Sequence, residues 1–118
     1  MEIGSEIRGI KKRIFNGEDD KYEGKPLFEV IVRKVRELGL AGATVIRGIE
    51  GFCAGSRIHK LSLLDLSADL PILIEVVDSE EKIISLIPEI EKLIEKAGCG
   101  ALITLEKVEV VRYSAGKK

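Results

Sequence analysis

The chain has 118 residues, with nineteen Lys and Arg against twenty Asp and Glu for a net charge of −1; this is the size of one domain with a real core, and it excludes a multidomain enzyme and a general polyanion-binding surface. Apolar residues make up 45% and charged residues 33%, which is too apolar for disorder and too interspersed with charge for a transmembrane helix. A soluble globular domain is expected over residues 1–118, with its core in 6–113, a flexible tail at 114–118 and, since residues 1–10 do not resemble a signal peptide, a cytoplasmic location.

Residues 6–16 mix β-branched, apolar and charged side chains. They predict a first strand with Ile10, Lys12 and Ile14 on one face and Lys11, Arg13 and Phe15 on the other. Asn16-Gly17-Glu18-Asp19-Asp20 is turn chemistry, and Pro26 stands where a helix can begin. A helix follows to about Leu38, with Leu27, Val30, Ile31, Val35 and Leu38 at three- and four-residue steps and Gly39 as its C-terminal cap. Residues 43–50 predict a second strand with a bulge near Gly48. A long, glycine-containing excursion then leads to residues 70–77, an almost unbroken apolar run expected to be a central strand. Asp78-Ser79-Glu80-Glu81 supplies an N-cap and an acidic first turn. The helix behind it places Ile83, Ile84, Ile87, Ile90, Leu93 and Ile94 on one stripe, with a bend at Pro88. Gly98-Cys99-Gly100 ends that helix, and residues 101–113 form the last strand.

The order β-α-β-β-α-β predicts an α+β, ferredoxin-like sandwich: two helices on one face of a four-stranded antiparallel sheet. Ile7, Phe15, Leu73 and Val77 then lie on the uncovered face. An apolar patch of this kind predicts an oligomer whose sheets face inward, with Lys11 and Arg13 pairing across to Glu75. One Asn (Asn16), no Gln and a single Met beside abundant Lys and Glu fit a thermophilic source.

Candidate chemistry is sparse. The central strands lack the stacking aromatics of an RNA-recognition sheet, so no nucleic acid is expected. His59 is the sole His, and Cys53 and Cys99 lack zinc or redox spacing, so no nucleophile–base pair or metal-ligand set can be assembled and the chain is expected not to be an enzyme. Glycines at strand ends beside the basic cluster Arg57-Ile58-His59-Lys60 form a weak anion-binding signal. Glu18, Asp19 and Asp20 leave open an alternative, a structural or cation-binding assembly.

Several segments together resemble a known family. They are Tyr22-x-Gly24-Lys25-Pro26-Leu27, Gly39-Leu40-Ala41-Gly42-Ala43-Thr44-Val45-x-Arg47-Gly48-Ile49-x-Gly51-Phe52, Ser56-Arg57-Ile58-His59, Leu70-Pro71…Ile74-Glu75-Val76-Val77 and Val108-Glu109-Val110-Val111-Arg112-Tyr113. The chain is similar to the PII signal-transduction proteins and, more closely, to the PII-like family called domain of unknown function 190. The resemblance implies a ferredoxin-like homotrimer that needs no cofactor and binds an adenine nucleotide or a similar small anionic effector between subunits. It also implies a mobile loop, here 52–69, acting on a partner protein such as a membrane transporter. Carried over by motif, Gly42 and Thr44 meet the base, Gly51 and Phe52 form the root of the loop, Val77 lines the pocket, and Arg112 contacts phosphate. Arg57 and Lys60 on the loop and Gly98 and Gly100 before the last strand complete the candidate set. Two departures are plain: the 98–101 turn has no basic residue, and Ser114 stands where a second arginine is expected. They imply a smaller or differently held effector. With no Tyr in 52–69, nucleotidylation of the loop is excluded.

Overall fold

The computed structural model describes residues 8–51 and 70–117. In chain order its elements are β1 (Arg8–Gly17), β2 (Lys21–Tyr22), β3 (Lys25–Pro26), α1 (Leu27–Glu37), β4 (Thr44–Arg47), β5 (Pro71–Asp78), α2 (Glu80–Ala97) and β6 (Leu102–Glu109). Four strands form one antiparallel sheet in the order β4-β5-β1-β6, and β2 and β3 form a separate hairpin. The expected ferredoxin-like sandwich is the observed fold, with β5 and β1 in the middle.

Alternation along the two central strands decides which face is covered. Ile14 of β1 and Ile72, Ile74 and Val76 of β5 are buried under the helices, against Leu27, Ile31 and Val35 of α1 and Ile83, Leu86, Ile90, Leu93 and Ile94 of α2. The buried stripe of α2 is rotated from the expected one. Leu86 takes the central place, while Ile84 is 54% exposed, because steps of three and four from Ile83 lead to 86, 90, 93 and 94 and leave Ile84 about 100° out of phase. Leu38 likewise lies outside the α1 core. Ser79 caps α2, its Oγ accepting from the Lys82 amide at 3.4 Å, and Gly98 closes the helix with φ 70°. The helix is continuous through Pro88.

Strand limits differ from expectation at both sheet edges. β4 stops at Arg47 instead of reaching Glu50: Gly48 donates to the Pro71 carbonyl at 2.8 Å, but Pro71, the first residue of β5, has no N–H with which to continue the ladder. β6 ends at Glu109, four residues before Tyr113. The hairpin β2–β3 lies within a run expected only to turn.

On the uncovered face, cross-strand neighbours line up in rows. Ile46, Leu73, Phe15 and Leu102 form an apolar row across all four strands. The next rows carry charge: Glu75 lies 3.1 Å from the Arg13 guanidinium and 3.6 Å from Lys11 Nζ, and Arg13 also lies 3.9 Å from Glu106. The expected pairing of Lys11 and Arg13 with Glu75 is thus present within one chain. Ile7 lies outside the described residues.

Candidate functional site

The geometry of the candidate site begins at the C-terminal end of β5. Alternation places Asp78 on the helix side, where it is fully buried. A carboxylate there requires donors, and it has them: Oδ2 accepts from the Ala41 amide at 2.8 Å and Oδ1 from the Ser79 amide at 2.6 Å. Two further side chains hold the same α1–β4 connection. Lys82 Nζ donates to the Gly39 carbonyl at 3.0 Å, and the Tyr113 hydroxyl donates to the Ala41 carbonyl at 3.2 Å. The loop is therefore clamped from the end of a strand, the start of a helix and the C-terminal segment.

That clamp presents Gly42 and the start of β4. Thr44 pairs with Glu75 on the uncovered face, and Val77 lies one row further along β5, half-buried. The chain leaving β6 passes close by: a Cβ on Gly9 would meet Val110 Cγ2 at 3.1 Å, the Asp78 carbonyl at 3.2 Å and Val77 Cγ1 at 3.5 Å. Arg112 follows on this segment, exposed, its Nε donating to Ser114 Oγ at 3.3 Å. No carboxylate among the described residues pairs with it. One end of the sheet thus gathers Gly42, Thr44, Val77 and Arg112: loop backbone, a hydroxyl, an apolar wall and a free cation. These groups suit the holding of a small anion with a planar or apolar body.

The remaining candidates are elsewhere. Gly51, with φ 142°, lies against Pro71, and Gly98 and Gly100 precede β6. Because β5 and β6 both run antiparallel to β1, Pro71 and Leu102 mark the opposite end of the sheet from Asp78, roughly 25 Å away at the usual rise per residue. Phe52, Arg57 and Lys60 lie outside the described residues, as do His59 and Cys53. Cys99 is half-buried, its Sγ donating to the Ala97 carbonyl at 3.7 Å. The acidic turn expected as an alternative cation site is engaged in the fold: Glu18 pairs with Arg47 at 2.7 Å and Asp20 accepts from the Gly17 amide at 2.9 Å. Among the described residues, no group of three or more His, Cys, Asp or Glu converges as metal ligands, and no helix is long and apolar enough to cross a membrane.

Sequence reasoning did not assign Asp78, Lys82 or Tyr113 to the site. Asp78 has the composition of a helix start, and only the register of β5 reveals that its side chain points inward.

Residues 9–110 match the family described as DUF190, Uncharacterized ACR. The chain belongs to the DUF190 family. Relatives within reach of direct comparison include a UPF0166 protein of Aquifex aeolicus (strain VF5), 42% identical over 108 residues that span 89% of this chain and 98% of that protein. Another is the UPF0166 protein MJ1524 of Methanocaldococcus jannaschii, 36% identical over 87 residues, 73% of this chain and 79% of the relative. Among solved structures, the DUF190 chain resembles CPII of Thiomonas intermedia K12 bound to ADP and bicarbonate, with TM-score 0.63 and 20% identity over 89% of this chain and 90% of that one. The same protein bound to ADP, AMP and acetate gives TM-score 0.62 at 17% identity, over 89% and 90% of the two chains. Family and PII-like fold agree with the resemblance seen in the sequence.

Proposed function

We propose that this DUF190 chain is a non-enzymatic PII-like regulator, a homotrimer that binds a small anionic effector, an adenine nucleotide or similar, between subunits. Its 52–69 loop carries the signal to a partner protein, with a membrane transporter as the partner class suggested by the resemblance. The observation that supports the reading is the clamped end of the sheet, where the Asp78-held loop leads into Gly42 and Thr44 and the chain that carries Arg112 passes Val77. The separation of these residues from Gly51, Gly98 and Gly100 supports a site shared between copies. A second subunit can bring the other end of a sheet to this one. The binding of ADP, AMP and bicarbonate by the structurally similar CPII supports the choice of effector class.

The test is calorimetric titration of the protein with AMP, ADP, ATP, cyclic AMP and bicarbonate, repeated on Arg112→Ala. A charge-assisted contact to phosphate or carboxylate contributes about 1.5–3 kcal/mol, so the variant should bind about ten- to a hundredfold more weakly. Its fold should be retained, since Arg112 is exposed beyond the last strand. If no effector binds the wild type, the regulatory reading fails. Equal binding by both proteins removes Arg112 from the site.

A further inference from the structure

The β2–β3 hairpin stands on the helix side of the sheet, outside the clamped end just described. Its two-residue turn has φ 49° at Glu23 and 80° at Gly24, the pair of left-handed residues that matches the twist of a tight hairpin. Glycine adopts this conformation freely, whereas glutamate does so against its own preference. A residue held this way persists where its surroundings fix it. Here Glu23 pairs with Lys96 of α2 at 3.5 Å, and the same ammonium lies 5.7 Å from the centre of the Tyr22 ring.

Between this hairpin and the outer sides of the helices runs an open groove of about 260 Å³. Tyr22, Val30 of α1 and Leu93 of α2 give it an apolar lining, and its charges are unevenly matched. Glu23 is engaged by Lys96, and Glu37 lies 3.8 Å from Lys34. Lys25 and Arg33, which also line the groove, have no carboxylate within 4.0 Å among the described residues. Two cations without counter-charge beside an apolar lining select an organic anion over a bare one, because the ring or chain removes apolar surface from water while the head group meets the cations. The volume lies just below the usual range of ligand pockets, which suits a body of one ring or a short branched chain.

We infer that this groove is a second ligand site, for a small organic anion with a carboxylate or phosphate head and a single apolar ring or branched chain. It stands independently of the effector reading. It lies on the helix-covered side of the sheet, opposite the uncovered face, so an assembly formed through the uncovered face leaves it open.

The experiment is an amide proton–nitrogen correlation titration of the intact protein with benzoate and phenyl phosphate, and with acetate and inorganic phosphate as head groups lacking the ring. The two aromatic probes separate a carboxylate preference from a phosphate one. The site is supported if at least one aromatic probe shifts the Tyr22, Lys25 and Arg33 amides, the matching bare anion does so far more weakly, and Lys25→Ala/Arg33→Ala raises its Kd at least tenfold. Both residues are exposed, so the double variant should fold; if its far-UV spectrum departs from wild type, Arg33→Ala alone decides. The inference is overturned if bare and aromatic anions act alike, if the shifts fall outside the groove or fail to appear, or if the substitutions leave the affinity unchanged.

Discussion

Lys12 has a side chain poorly matched to its position. It sits on the covered face of β1 between Val76 and Leu105 of the neighbouring strands, fully buried, and its Nζ has no hydrogen-bond partner among the described residues. Burial lowers its pKa from 10.5 to about 8, only partly opposed by the charge of Glu91. Between pH 8 and 10.5 the unfolded chain keeps a proton that the folded chain has released, so stability rises with pH across this window. Below pH 8 both states carry the proton, and the fold bears the whole cost of a buried cation. Lys12→Met should therefore stabilise the protein at pH 7 by about 1–3 kcal/mol and flatten the rise between pH 8 and 10, as read from urea midpoints. A variant less stable than wild type at pH 7 would show that the amine is better accommodated than its surroundings indicate. Strand alternation alone places Lys12 with Ile14 on one face; that this face is the dry one depends on which side the helices take. Asp78 is a similar case. Removing its carboxylate in Asp78→Ala leaves the Ala41 and Ser79 amides without their acceptor, and should cost about 2–4 kcal/mol in chemical denaturation while loosening the loop that presents Gly42.

At the scale of elements, long periodic segments were legible and short ones were not. Both helices and the three long strands follow from spacing and end signals, including the Ser79 cap and the glycines after each helix. The hairpin leaves no signal in the sequence, because its strands are two residues each, too short for any period, and because Glu23-Gly24 lacks the Asn-Gly or Asp-Gly signature of such turns. The phase of α2 is not fixed by its sequence, because four isoleucines between 83 and 90 satisfy more than one helical stripe and packing against the sheet selects among them. β4 ends where its partner strand begins with a proline that lacks an N–H, and the approach there is close. Gly48 donates its amide to the Pro71 carbonyl at 2.8 Å with its α-carbon pressed against the Pro71 ring. Gly48→Ala should force strand and ring apart and destabilise the domain by about 1–3 kcal/mol in thermal or urea unfolding. Unchanged stability would mean that the edge of the sheet yields without loss. The candidate effector residues were legible only through resemblance, since glycines and one arginine from segments some 70 residues apart in sequence carry no local pattern that joins them.

For the whole molecule, the uncovered face is the feature that a single chain leaves unresolved. The apolar row Ile46–Leu73–Phe15–Leu102 crosses the entire sheet, with Ile46 46% and Leu102 55% exposed. Beside it, Lys11, Arg13, Glu75 and Glu106 already compensate one another within the chain. A face whose charges are internally paired and whose apolar residues form a continuous row can be covered by copies of itself at modest desolvation cost. In the proposed trimer Leu73 lies near the centre of the buried surface, whereas in a monomer its side chain borders water. Leu73→Glu thus distinguishes the two states. The new carboxylate is tolerated by an open sheet, but in a closed assembly it is buried without a partner at a cost on the order of several kcal/mol per subunit. Multi-angle light scattering should show the wild type at three chain masses and the variant dispersed towards the 13.0 kDa chain. Glu81→Lys, on the exposed first turn of α2, should leave the assembly intact and so control for a general effect of charge. A wild-type monomer, or a trimer that survives Leu73→Glu, would assign the row to solvent and remove the shared cleft on which the effector reading depends.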